Sequence, residues 1–522
     1  MKKTLLLLVI FTLCGIGTKS QAQTGYYTYN EPGRHYSTSA LFPTVDGGLL
    51  VAMGDVRFPY FSLEANSPAI IIKLSEQMEE TGSVQLSDNG VFSYILDLYP
   101  DPANSKLFYA IGKIHDLECQ CEKPYLVHFD GNLNILSQAV IDLPDECRYL
   151  TDASTFLADD GCIYWVSAYQ TETESPNYSF SSSRQIYLKI NLDGGLENVL
   201  LDNDLLGFYY LSGDIFPYLD GTGDFGHLYT TYNDFSGHHN TLIRFTRDLE
   251  TSLVYEDEGT MLYEPYGNLI YHLALSSNFQ STLTLPDGKL LYTEGSTIEL
   301  ITGDDYIDAQ LCSPIFKMDL EQYQILQYQI IGRENDSTEH VETNAIDYIR
   351  PDELFHCCYV FPGMDYLLYL PKKIMVTKTD DNLNVTWQKS FLFDGQHYPQ
   401  GVKAAEDGGC WVYGMIRQND DIERSGFVFR LNAEGLLHLP EGEESPHPYA
   451  FCPNPVKDRL HIMFSTDFQP AQIDFYDLQG RLVSTQRSNF ENIDMSQLPA
   501  GTYTMRVTLE DGKVYADKLI KE

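Results

Sequence analysis

Apolar and polar positions alternate along this chain in short bursts, and one burst recurs. Seven times between about residue 70 and residue 435, an apolar residue, a basic residue and a second apolar residue run into Asp, Asn, Ser or Thr. The copies are Ile72-Lys73-Leu74-Ser75, Val127-His128-Phe129-Asp130, Leu188-Lys189-Ile190-Asn191, Ile243-Arg244-Phe245-Thr246, Phe316-Lys317-Met318-Asp319, Thr377-Lys378-Thr379-Asp380 and Phe429-Arg430-Leu431-Asn432. The sixth is the weakest, with Thr377 and Thr379 in the apolar places. The central residues stand at 73, 128, 189, 244, 317, 378 and 430, giving intervals of 55, 61, 55, 73, 61 and 52. A fixed period of this size is the signature of a repeat architecture and suits a four-stranded blade.

After each copy comes a turn, such as Asp130-Gly131-Asn132 or Asn432-Ala433-Glu434-Gly435, and then a further apolar stretch, which is hairpin chemistry. Before most copies lies a second turn and strand: Asp46-Gly47-Gly48 before Leu49, Asp160-Gly161 before Cys162, Asp287-Gly288 before Lys289, and Asp407-Gly408-Gly409 before Cys410. Glycine supplies the positive φ of a tight turn, and Asp accepts from the backbone that follows it. No long stretch keeps apolar residues at helical spacing with caps. The pattern therefore predicts an all-β chain, with a seven-bladed β-propeller over roughly residues 26–440 inside a propeller region of 23–440. Strands apolar on both faces fit blades stacked on one another, and ring closure limits exposed sheet edges. The segment Gly25 to Asn30 is expected to close the last blade. The long 73-residue interval leaves room for a degenerate unit, hence six or eight blades as alternatives. The recurrent basic side chain reads as a structural device, its stem on the sheet and its head at solvent or a turn carboxylate, in preference to a ring of cations in the channel.

Composition adds destination and exclusions. Residues 1–22 read as a signal peptide: Lys2 and Lys3 precede the apolar run Leu5 to Leu13, and Ser20-Gln21-Ala22 supplies small residues for cleavage before Gln23. Cys14 is not expected to carry a lipid, because Leu13 before it is not small. No later stretch offers about 18 uninterrupted apolar residues, so no transmembrane segment is expected. Without Lys2, Lys3 and Lys19, 31 basic residues face 74 acidic ones, a net charge of −43 that repels nucleic acid and anionic membranes. Nine cysteines remain beyond Cys14, an odd number in an exported chain. His115, Cys119 and Cys121 form the one tight His/Cys cluster; lacking a fourth ligand at a recognisable spacing, it reads as loop thiols or a local disulfide before zinc. Adjacent Cys357 and Cys358 are expected on opposite faces of one strand.

The texture changes at Ser445, where Pro446, Pro448, Pro453 and Pro455 crowd together; residues 441–448 read as a linker. The remainder alternates as half-buried strands of a small immunoglobulin-like β-sandwich. Four ordered motifs occur in it. They are Pro453-Asn454-Pro455-Val456, the strand and turn Phe475 to Arg481 with Asp477, Gly480 and Arg481, then Leu498-Pro499-Ala500-Gly501-Thr502-Tyr503, and Lys518-Leu519-Ile520-Lys521 at the end. Together they resemble the type A C-terminal sorting domain of the bacterial type IX secretion system over residues 449–522. Cys452 departs from the aromatic residue or serine often found there. The resemblance implies recognition by an outer-membrane translocon, removal of the tail by a surface sortase near residues 441–450, and a secreted or outer-membrane-attached, cell-surface product.

No local catalytic signature appears: there is no Gly-x-Ser-x-Gly, His-Glu-x-x-His, phosphate loop or dinucleotide fingerprint. Asp159-Asp160-Gly161 and Asp407-Gly408-Gly409 differ from the Asp boxes of sialidase-type propellers in tryptophan offset and missing serine, and read as blade turns. Asp220 with Asp224, Asp304 and Asp305 with Asp308, and Asp420 and Asp421 with Glu423 could offer oxygens to calcium, although none forms a complete ligand loop. Two functions follow. The preferred one is a non-catalytic binding propeller for a glycan, peptide or protein, using aromatic loops such as Phe208-Tyr209-Tyr210. The alternative is a propeller enzyme, a glycoside hydrolase or lyase, whose carboxylates come from different blades.

Overall fold

A computed structural model of the chain describes residues 25–521 except 32–33, 55–67, 87–92, 117–120, 171–183, 203–208, 234–236, 258–261, 267–268, 303–304, 332–336, 341–344, 362–372, 392, 394–395, 418–423, 438–448, 453–455, 457, 465–469, 478–479, 491 and 511. Among the described residues the strands pair into nine sheets, every pairing antiparallel and none helical. Seven are blades, spanning residues 37–85, 93–140, 149–201, 209–257, 262–331, 337–391 and 396–431. The inner strand of each blade adjoins that of the next, and the inner strand of blade seven (Gln396–Ala404) adjoins that of blade one (Ser37–Pro43), so the ring is closed. Tyr26–Tyr29 supplies the outermost strand of blade seven, antiparallel to Arg424–Leu431 with Tyr26 opposite Phe429. That closing role was expected. The same outer edge is continued from the other end of the propeller, where Leu437 bridges Leu431 and the Arg430 amide donates to Gly25 O at 2.9 Å.

The core lies in the seams. One cluster joins blades six and seven through Phe355, Val376, Val412 and Phe429; another joins seven and one through Trp411, Val428, Val51 and Ile72. Corresponding clusters fill the other five seams, which is why these strands are apolar on both faces.

The recurrent motif stands on the third strand of each blade, and the structure explains each of its places. The basic head turns back to its own blade's first turn. Lys73 reaches Asp46 at 3.0 Å, His128 Asp101 at 3.0 Å, Arg244 Asp220 at 2.8 Å, Lys378 Glu353 at 2.7 Å and Arg430 Asp407 at 2.9 Å. Lys317 differs, donating to Asp381 O of blade six at 3.0 Å. Lys73 and Lys378 also donate to Gly131 O and Gly408 O of the next blade, at 3.1 and 3.0 Å. The heads thus tie turns and blades together away from the axis. The fourth residue accepts from the backbone of the following hairpin: Asp130 Oδ1 takes the Asn132 and Asn134 amides, each at 2.9 Å, and Asn432 Oδ1 takes those of Glu434 and Leu436 at 3.1 and 2.9 Å.

Three residues further on, each of these hairpins except that of blade five needs a left-handed residue. It is Gly194 or Gly435 in two blades, but Met78, Leu133, Leu249 and Leu383 in four, with φ between 55° and 66°. Those four side chains are almost wholly buried. Left-handed backbone costs about 1–2 kcal/mol for a residue with a Cβ, and burying a leucine returns about 1.5–3 kcal/mol. Burial wins there.

In the weak sixth copy, Thr377 and Thr379 are 0 % and 1 % exposed, and their hydroxyls have no hydrogen-bond partner among the described residues. Valine has nearly the same shape without the stranded hydroxyl. Thr377→Val and Thr379→Val are each expected to stabilise the protein by about 1 kcal/mol, read as a higher denaturant midpoint; a lower midpoint would reveal a partner for the hydroxyl.

The two kinds of connection emerge on opposite faces. First-to-second and third-to-fourth strand turns are short and lie on one face, with Gly47 and Gly408 at φ 80° and 84° in the first kind. The second strands of blades one, three and six end, and their third strands begin, at the other face, at Gly54 and Ile70, Gln170 and Arg184, and Phe361 and Lys373. Blade five also lengthens toward that face: Leu269–Thr284, Lys289–Thr302 and Asp305–Asp319 pair far beyond their counterparts, out to Ile270 opposite Ile301, and Leu262–Tyr266 adds a fifth strand. The 73-residue interval is therefore an elongated blade and hides no further unit. Blade six has its inner strand in two pieces, Ser337–His340 and Ile346–Tyr348.

Residues 449–521 form the expected sandwich, a three-stranded sheet (Tyr449–Cys452, Arg459–Phe464, Asn492–Asp494) facing a four-stranded one (Leu482–Gln486, Pro470–Asp477, Gly501–Leu509, Val514–Lys521). Leu460, Ile462, Phe475, Met505 and Val507 fill it.

Candidate functional site: the axial channel

Six of the seven inner strands carry a polar residue one to four places before their last paired position: Asp97, Ser154, Asp214, Thr282, Asp347 and Lys403. The register breaks beside most of them, at Ile95/Asp97, Leu150/Ala153, Leu211/Asp214, Leu275/Gln280 and Pro399/Gly401. Such bulges re-aim side chains. Asp97 of blade two interacts electrostatically with Lys403 of blade seven and Asp214 of blade four. Blades two and four are not neighbours, so the charges act on one another across the axis.

Most of these polar groups are engaged between blades. Asp214 accepts from the Ser154 hydroxyl of blade three, from the Ile215 amide at 2.9 Å, and from the Thr282 amide and hydroxyl of blade five at 2.8 and 3.0 Å. Asp347 accepts from the Ala404 amide of blade seven at 2.8 Å and pairs with Lys403 at 3.3 Å. The Tyr99 hydroxyl meets Thr155 Oγ1 of blade three at 2.9 Å. Asp97 accepts the Leu98 amide at 2.7 Å and the Tyr99 hydroxyl, both from its own strand. Burial pushes its carboxyl up to about 6. Burial also raises Asp214, against the pull of its hydrogen bonds. Asp347 raises the Lys403 ammonium, which stays charged although it sits deep in the ring. The Lys403 side chain is nonetheless 42 % exposed, because it faces the open channel, whereas Asp347 is only 12 % exposed.

Sequence reading did not single out any of these four ionisable residues. Their signal was positional: aligned on the first turn of each blade, ionisable residues recur near the turn end of the inner strands. The buried histidines are not acid–base candidates, since burial drives His227 and His356 down to about 3 and keeps them neutral.

Several sequence expectations find their places. Asp220 and Asp224 do not form a calcium loop: Arg244 takes an oxygen of each, and Thr222 bonds the other oxygen of Asp220. The residues from Asp304 to Asp308 and from Asp420 to Glu423 fall outside the described side chains, as do Phe208, Tyr209 and Tyr210. Cys121 is disulfide-bonded, which withdraws its thiolate from a metal. Cys357 and Cys358 are free and point into different seams. Asp160 and Asp407 cap blade turns through the Cys162 and Gly409 amides at 3.1 and 3.0 Å. No helix among the described residues is long and apolar enough to cross a membrane.

In the C-terminal sandwich, Asp477 accepts the Arg481 amide at 2.9 Å and its Nε at 2.7 Å around Gly480, which has φ 75°. Tyr503 is buried and donates to Pro499 O at 2.6 Å, fixing the turn between Leu498 and Gly501. Lys518 lies exposed on the last strand, opposite Thr504. Pro453, Asn454 and Pro455 lie outside the described residues. Val456, directly after them, is fully buried and donates to Ile520 O at 2.7 Å, so the first motif is pinned to the last.

No curated protein matches the chain. Among solved structures, a protein of unknown function from Dyadobacter fermentans DSM 18053 aligns over 77 % of this chain and 98 % of its own, with TM-score 0.40 and 9 % identity. The β-propeller domain of the Trilobed protease from Pyrococcus furiosus aligns over 79 % and 97 %, with TM-score 0.38 and 8 % identity. The Bombyx mori GH32 β-fructofuranosidase BmSUC1 aligns over 83 % and 88 %, with TM-score 0.33 and 12 % identity. Scores this low carry no argument, and the propeller assignment stands on the sheet topology itself. Residues 450–522 match the family described as the secretion system C-terminal sorting domain. That stretch of the chain belongs to this family, and it marks the protein for export by type IX secretion.

Proposed function

We propose that the protein is a cell-surface or secreted binding propeller: residues 1–22 are a signal peptide, 23–440 hold a glycan, peptide or protein ligand, 441–448 are a linker, and 449–522 route the chain to the translocon and a sortase. Pro453, Asn454, Pro455, Asp477, Gly480, Arg481, Leu498, Pro499, Gly501, Tyr503 and Lys518 carry the routing signal in this reading. The observation that favours binding over catalysis is the commitment of Asp214 and Asp347 to inter-blade hydrogen bonds. Acid–base pairs for glycoside cleavage need two carboxylates at leisure to exchange protons with substrate. Here the channel offers Asp97 and the exposed head of Lys403.

The enzyme reading draws on Asp97, whose carboxyl near 6 suits a general acid or base. A thermal-shift screen of the full-length secreted protein against neutral oligosaccharides and peptides separates the two. A shift lost in Lys403→Glu supports binding in the channel. Turnover of an aryl glycoside, lost in Asp97→Asn, would replace the binding reading with an enzyme.

A further inference from the structure

The seam between blades three and four opens, on the face of the short turns, into a cavity of about 460 Å³ that none of the four axial ionisable groups lines. An enlarged turn builds it. Blades one, three, five and seven close their first turn from Thr44 to Gly48, Ala158 to Cys162, Leu285 to Lys289 and Ala405 to Gly409. Blade four closes its own from Tyr218 to Asp224, two residues longer, and the extension puts out Leu219, 52 % exposed, as an apolar wall. The floor is the half-buried Phe156, backed by the buried Phe225 with ring centroids 5.6 Å apart.

The rim is polar and held in place. Arg247 donates through Nη2 to Asp159 Oδ1 and through Nε to Gly223 O at 3.2 Å. Asp224 Oδ2 accepts from Arg244 Nε at 2.8 Å. Each aspartate is thus anchored by one oxygen, and Asp159 Oδ2 and Asp224 Oδ1 make no hydrogen bond among the described residues. An apolar floor beside oriented carboxylate and guanidinium groups matches a ligand with a C–H face and a row of hydroxyls. Counting Asp220 with Asp159 and Asp224, three carboxylates stand against the two guanidiniums of Arg244 and Arg247, which disfavours an anion.

We propose that this cavity is a subsite for one neutral pyranose ring, separate from the axial channel. The chemistry requires that methyl glycosides of neutral hexoses bind and that glucuronic acid bind much more weakly. Saturation-transfer NMR on the full-length secreted protein, with methyl glucoside, methyl galactoside, methyl mannoside and glucuronic acid as probes, tests it. The expected result is transfer to the C–H protons of at least one neutral probe, with affinity falling about tenfold in Arg247→Ala and in Leu219→Ser, a turn variant that keeps every rim contact. Glucuronic acid binding as tightly as the neutral probes would overturn the proposal, as would no transfer from any of them. Transfer that survives both variants but disappears in Lys403→Glu would move the sugar to the axial channel, overturning this subsite while leaving the binding function intact.

Discussion

A chain ending at residue 448 is expected to accumulate inside the cell envelope, with surface display falling to background. The reason is structural as well as a matter of family. Residues 449–521 carry the whole sorting sandwich, with a core of its own in Leu460, Ile462, Phe475, Met505 and Val507. Its last strand, Val514–Lys521, pairs along Gly501–Leu509 and also holds Val456 next to the Pro-Asn-Pro motif. Ending the chain after Thr508 should therefore abolish display as completely as removing the entire tail, although three of the four motifs remain. Surface proteolysis of intact cells and fractionation of the envelope measure both variants. Normal display of the chain ending at 448 would show that export runs through some other part of the protein.

Asp97→Asn is expected to stabilise the propeller near neutral pH and to lose that advantage in acid. Burial raises the Asp97 carboxyl from 3.8 to about 6 in the folded state, so the folded protein binds the proton more tightly than the unfolded chain does. Below 3.8 the group is protonated in both states and costs nothing. Between 3.8 and 6 the unfolded state ionises first, and stability drains away as pH rises. Above 6 the penalty is constant, roughly 3 kcal/mol for a shift of this size. Asparagine keeps an oxygen for the Leu98 amide and carries no charge to desolvate. Denaturant titrations of both proteins at about pH 7 and below pH 4 check this: the difference should be large at the first and vanish at the second. Equal stability at both would mean that Lys403 already neutralises Asp97 fully.

Much of the ring could be seen in the sequence because its determinants are local. A hairpin needs its acceptor at Asp130 or Asn432, and its basic neighbour takes a carboxylate in the preceding turn in the blades other than the fifth, so the pattern recurs along the chain. The axial residues have no such local partner. Asp214 is satisfied by Ser154 and Thr282, sixty and sixty-eight positions away, and only the closed ring brings them together. Blade five kept six or eight blades open beside the expected seven for a related reason: its extra strand length adds no new turn motif, only a longer interval. Met78 and the three left-handed leucines were hidden because a turn scan looks for glycine, while seam burial there outweighs backbone strain.

The outer edge of blade seven, built from Tyr26–Tyr29 and Leu437, also sets the load path through the molecule. A pull on the C-terminal tail meets the Leu431–Leu437 bridge first and, once that opens, reaches Arg424–Leu431, a strand clamped between Cys410–Arg417 on one side and Tyr26–Tyr29 on the other. Drawn lengthwise, that strand loads both hydrogen-bonded ladders in shear, all rungs together, and they do not open one after another like a zip. The chain's own first strand thus acts as a mechanical latch. A cargo towed by its tail can bear tension as a folded ring.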